Sequence, residues 1–172
     1  MSDLIADIRH EFRRHKELAD RAIAGLDDES FFRVPAPQVN SIAIIVKHLA
    51  GNLRSRWAEF LTSDGEKPMR DRDGEFLLNP ADSRASLISA WDAGWLTLFG
   101  ALGQLGEGDL DRRVTIRGEP HRVQQALVRG VVHAAYHVGQ ILYVARLLQR
   151  DTEWLTIAPG RSRDLRTPYL DH

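Results

Sequence analysis

Residues 122–149 read RVQQALVRGVVHAAYHVGQILYVARLLQ, and the reading of this stretch decides the fold. From Val131 to Leu148 it is apolar in nearly every direction, interrupted only by His133, His137, Gln140 and Arg146. No proline breaks it, and its length gives about eight helical turns. A helix apolar on all sides belongs in a core, so this is expected to be the most buried helix of the chain.

Three upstream segments carry the matching stripes. Leu4, Ile8, Phe12, Ala19, Ala22, Ile23 and Leu26 recur at three- and four-residue steps and predict a first helix over about 2–25. A second is predicted over 40–61 from Ile42, Val46, Leu49, Leu53, Trp57 and Leu61, with Asn40 as N-cap and Val39 stapled on Ile44. A third, over 80–105, puts Leu87, Trp91, Trp95, Leu98 and Leu102 on one face, with Asn79 or Asp82 capping its start. Pro35 and Pro37 forbid helix after the first segment, and the polar stretch 62–79 reads as a long connection. Between the third and fourth helices, Val114 to Pro120 suits a short β-hairpin with Gly118 in the turn. The tail, 150–172, with Trp154, Leu155, Ile157, Arg161, Arg163 and Arg166, is expected to be an irregular docked extension. Together these predict one all-α domain spanning 1–172, a four-helix bundle.

Composition narrows the function. The 172 residues hold 23 Lys plus Arg against 24 Asp plus Glu, so no net field favours nucleic acid or an anionic membrane. Without cysteine, disulfides, thiolate metal sites and a protein thiol nucleophile are excluded. The first fourteen residues are charged and amphipathic, and no stretch is long and apolar enough to span a membrane. A cytoplasmic protein acting on a small molecule is expected, without nucleic-acid or membrane partners.

His133 and His137 stand four residues apart, so a helix places both imidazoles on one face, one turn apart, where they can chelate one ion. Left unpaired on an apolar surface, each would cost about 1–3 kcal/mol. Something must satisfy them. His48, beside the stripe of the second helix, is a candidate third ligand; alone it reads more readily as a boundary histidine facing water. Three nitrogens from two helices would leave coordination positions open, as a catalytic site requires. Asn52, Arg129 and Gln140 lie one turn from these histidines; Asn52 and Gln140 are candidates to orient ligands or a bound water, and Arg129 to meet an anionic substrate. Each also reads as an ordinary helix-edge polar residue. His10 and His15 on the first helix, and His121 and His172 in loop and tail, are expected to stand apart from the site.

The strings Lys47-His48-Leu49-Ala50-Gly51-Asn52 and His133-Ala134-Ala135-Tyr136-His137-Val138-Gly139-Gln140-Ile141 resemble the DinB/YfiT-like superfamily. The segments 114–121 and 154–162 resemble one subfamily of that group. The resemblance implies an unusual four-helix bundle, often a homodimer, with His48, His133 and His137 holding one divalent transition metal, zinc or nickel first and iron next. It also implies transferase or isomerase chemistry with low-molecular-weight thiols such as bacillithiol, mycothiol or glutathione, or else hydrolysis. The leading expectation is a metal-dependent thiol S-transferase. A metal-dependent hydrolase ranks second, because Glu59 lies three turns from His48 and no glutamate accompanies the histidines in an H-E-x-x-H pattern. A non-catalytic, metal-stabilised stress-response scaffold is the third.

Overall fold

The computed structural model describes residues 4–149 and 154–164. Four long helices dominate it: α1 (Leu4–Ala24), α3 (Ile42–Trp57), α4 (Arg84–Gly103) and α5 (Val123–Leu148). A five-residue helix, α2 (Asp28–Phe32), follows α1, and a two-stranded antiparallel hairpin, β1 (Arg113–Ile116) and β2 (Glu119–Arg122), leads directly into α5. The chain is mostly helical, as predicted.

Local chemistry sets the boundaries. Ser41, not Asn40, caps α3, its hydroxyl accepting from the Ile44 amide at 3.3 Å. The staple predicted on Asn40 therefore loses its register, and Val39 is exposed. The same helix ends at Trp57 rather than Leu61, because Ala58 is extended and Glu59 turns left-handed at φ 50°. The third long helix starts at Arg84, four residues later than predicted, because Ser83 and Ser86 cap one another reciprocally at 3.0 and 3.1 Å. Asp82 instead closes the preceding turn on the Asn79 amide and pairs with Lys47 of α3. The unpredicted α2 is nucleated by Asp27, which accepts from the Ser30 amide at 2.8 Å.

Phe12 of α1, Trp57 of α3, and Trp91 and Trp95 of α4 form the centre of the core. Phe12 meets Trp57 and Trp95 edge-on at centroid distances of 5.8 and 6.2 Å, a geometry that adds about 0.5–1.5 kcal/mol per pair beyond burial. Gly94 lets α4 lie close on α3, since a Cβ there would stand 3.0 Å from the Ala50 carbonyl oxygen. The main helix pairings are α3 with α4 and α1 with α5, closed by α3 against α5.

That arrangement corrects the burial expected of α5. Val132, Tyr136, Tyr143 and Leu147 are half or more exposed. Only α1, α3 and the hairpin pack substantially on this helix, so its outward side stays open although its sequence is apolar there.

The hairpin is fastened to the α3–α4 connection. Arg117 and Gly118 both take positive φ in its turn, which glycine tolerates and which suits the twist of a two-residue hairpin. Asp64 accepts from the amides of Arg117 and Gly118 at 2.8 Å each and of Glu66 at 2.7 Å. These bonds outweigh the effect of burial and hold the Asp64 carboxyl down at about 2. Among the described tail residues, Trp154 lies under the Arg146 guanidinium and Leu155 accepts from Arg21. The tail thus docks beside α1 and the far half of α5. Arg166 and His172 lie outside the described residues.

Candidate metal centre

α3 and α5 run antiparallel, so His48 lies opposite His133 and His137. The three ring centroids are 4.7, 4.8 and 5.5 Å apart, and one ligand-capable atom from each lies within 4.8 Å of the others. Imidazole nitrogens on one tetrahedral zinc ion stand about 3.3 Å apart, so small side-chain rotations separate this arrangement from a closed trigonal set. His48 is buried, which removes the reading of it as a solvated boundary residue.

Hydrogen bonds fix which nitrogens face inward. Nδ1 of His48 lies 2.9 Å from Oε2 of Glu75. Burial alone would raise the Glu75 carboxyl, but the bonds from His48 and Arg70 and the Arg70 charge hold it below the usual range. It is therefore an acceptor, Nδ1–H donates, and Nε2 is the His48 nitrogen left for an ion. Arg70 grips the same carboxylate with two nitrogens at 2.8 and 2.7 Å and reaches Glu66 at 3.0 Å. On α5, His137 donates from Nδ1 to Oε1 of Gln140 at 2.9 Å, again leaving Nε2 free. A ligating histidine held by a carboxylate or amide is how proteins fix the tautomer at a metal. The donor set thus fits a divalent ion of the zinc, nickel or iron kind.

Burial, reinforced by the neighbouring His137, His48 and arginine charges, pushes His133 down to about 3. Burial likewise pushes His137 down to about 4, against the Gln140 bond. Both rings are neutral at pH 7 and need lose no proton to bind an ion. Because their folded values lie below the unfolded 6.5, the unfolded chain binds more protons below pH 6.5, and acid favours it. Metal-free protein is expected to lose about 3–4 kcal/mol of stability between pH 7 and pH 5, read from urea midpoints. A flat profile would contradict the buried neutral rings.

The sequence reading missed Glu75, Arg70 and Phe76, all in the connection between α3 and α4. Phe76, in a 3-10 turn at Gly74–Phe76, covers the His48 ring at 4.5 Å. Gly51 was the one available signal. A Cβ at this mid-helix glycine would run into the Glu75 carboxylate, so the helix accepts a glycine's cost of about 1 kcal/mol to let that side chain in. Asn52 lines the cleft described next but bonds to neither His48 nor His137, whose partners are Glu75 and Gln140. Tyr136, unflagged by sequence, sits beside His133 and His137 at 5.1 and 4.5 Å.

The three histidines open into a cleft of about 820 Å³ between α3, α5, the hairpin and the α3–α4 connection. Arg129 lines it, bonded to His121 at 3.3 Å. Glu59 is exposed and outside it, and neither Arg161 nor Arg163 borders it.

The model of a family described as "Protein of unknown function (DUF1572)" matches residues 1–161. No curated protein matches the sequence. Among solved structures, the "conserved protein of locus from Enterococcus faecalis" superimposes with a TM-score of 0.64 at 18% identity, covering 86% of this chain and 98% of that one. That likeness concerns the fold alone.

Proposed function

Because the chain belongs to the DUF1572 family, whose description assigns no activity, we propose its function from its site: a metal-dependent enzyme of the DinB/YfiT-like four-helix-bundle kind that conjugates a low-molecular-weight thiol to an electrophile. One observation carries this reading. Three imidazoles from two helices converge on the wall of a substrate-sized cleft, two of them with Nδ1 already engaged, by Glu75 and by Gln140.

His48, His133 and His137 would hold the ion, which supplies Lewis acidity that lets a bound thiol ionise near neutrality. The remaining steps belong to the chain's own groups. Glu75, clamped by Arg70, keeps the His48 ring from rotating; Gln140 does the same for His137; Phe76 shields the His48 face from water. In the conjugation the thiol gives its proton to solvent, its sulfur forms a bond to carbon, and the leaving group departs with the electron pair. The chain has no cysteine, so the sulfur comes from a cosubstrate.

Hydrolysis ranks lower on the same geometry. Water activation profits from a nearby general base, and among the described residues no aspartate or glutamate lines the cleft. The nearest buried carboxylate, Glu75, is engaged by His48 and Arg70.

Metal-loaded protein is expected to accelerate conjugation of at least one common cellular thiol to a chromogenic electrophile, with the rate abolished by chelator. No acceleration with any thiol would overturn the transferase reading. A lowered melting temperature on metal removal would then favour the scaffold.

A further inference from the structure

α3 repeats its side of the site every four residues. His48, Asn52 and Arg56 follow one another on one face, as Arg129, His133 and His137 do on α5. Since the helices are antiparallel, the histidines meet at one end and Arg56 and Arg129 at the other. Helix rise puts about 12 Å between the Cα atoms of His48 and Arg56.

Among the described residues, the cleft lining holds six arginines and no acidic side chain. Four of the six are compensated. Arg70 is held by Glu75 and Glu66, Arg72 pairs with Asp73, Arg117 with Glu66 at 3.4 Å, and Arg122 with Asp111 at 3.7 Å. Among the described residues Arg56 and Arg129 form no ion pair, and Glu66 acts on Arg56 only at longer range. Arg56 is only 8% exposed, and its one hydrogen bond runs from Nε to the Gly65 carbonyl at 3.4 Å. Its two terminal nitrogens make no hydrogen bond among the described residues and are not sealed away from the cleft that the residue borders. Burial, followed by the Arg129 charge, pushes the Arg56 guanidinium down to about 10 against the pull of Glu66, so the two cations oppose each other. Among the described residues, Arg129 makes its one side-chain hydrogen bond to Nε2 of His121.

A buried cation without a counter-ion is costly, and it is retained where an anion completes it. We propose that Arg56 and Arg129 form an anion subsite at the end of the cleft remote from His48, His133 and His137, taking the carboxylate or phosphoryl group of a small-molecule substrate. Planar guanidinium forks match both oxyanions. In the reading of the site as a metalloenzyme, this subsite anchors one end of a substrate whose reactive end lies at the histidines. It does not itself require the ion.

The test is calorimetric titration of untagged protein, metal-loaded and metal-free, with inorganic phosphate, succinate and the neutral succinamide. One of the two anions is expected to bind at least about 10-fold tighter than succinamide, and to lose about 10-fold or more in Arg56→Gln and in Arg129→Gln. The tighter anion identifies phosphoryl or carboxylate. Arg129 is exposed, so its variant keeps the test decisive if Arg56→Gln does not fold. Binding that persists in metal-free protein but fails in the arginine variants supports the subsite even if no metal is ever bound. Anions no tighter than succinamide would overturn the proposal. So would affinity that needs the metal and ignores both substitutions, since the anion would then sit on the ion.

Discussion

Glu75→Ala is expected to unfold about 2–3 kcal/mol more easily than the wild type, because it leaves the Arg70 guanidinium, whose side chain is 5% exposed, with Glu66 alone in place of its bidentate partner. The same change frees Nδ1 of His48, so metal affinity is expected to fall about 10- to 100-fold. Glu75→Gln keeps an acceptor for His48 and the shape of the side chain. It should recover much of the stability while still lowering affinity. Urea midpoints and titration against a competing chelator separate the two effects. Equal stability and affinity in Glu75→Ala would make the His48–Glu75–Arg70 chain an incidental contact.

The second large effect concerns the histidines themselves. His48→Ala, His133→Ala and His137→Ala should each weaken binding by about 10³-fold, since losing one of three donors removes roughly a quarter to a third of a binding free energy of about 10–16 kcal/mol. Stability of the metal-free forms should change less, and at pH 5 His133→Ala should be relatively stabilised, because the removed ring is one that the fold holds neutral. Asn52→Ala is the matched control. It borders the same cleft but is expected to leave binding unchanged. Loss of affinity in Asn52→Ala equal to that in the histidine variants would mean that the cleft as a whole, rather than three rings, governs binding.

How much of this was legible in the sequence follows from how far each signal reaches along the chain. The helical periodicity of α1, α3, α4 and α5 is local and survives folding nearly intact, as does the pairing of His133 with His137 one turn apart. The hairpin was legible from Gly118 because positive φ is a local demand. Cap positions were misread where two neighbouring polar residues competed: Ser83 wins over Asp82 because Ser86 reciprocates, while Asp82 is drawn to Lys47 across the core. No local rule anticipates that draw. The burial of α5 was overstated because an apolar sequence reports what a helix can bury, not how many neighbours surround it. Glu75 and Arg70 sit in a connection whose composition reads as loop, and only the Gly51 side of their packing leaves a trace in the helix. Arg56 was legible in principle, two turns beyond His48 on the same face, but spacing does not reveal that it goes without an ion-pair partner among the described residues.

The central claim is that three imidazoles hold an ion. Elemental analysis of metal per chain, on wild-type protein purified without a polyhistidine tag and after supplementation with zinc or nickel, tests it most directly. About one equivalent per chain is the predicted result. Protein that stays metal-free with zinc, nickel and iron alike would contradict it, leaving His48, His133 and His137 as part of the cleft wall only.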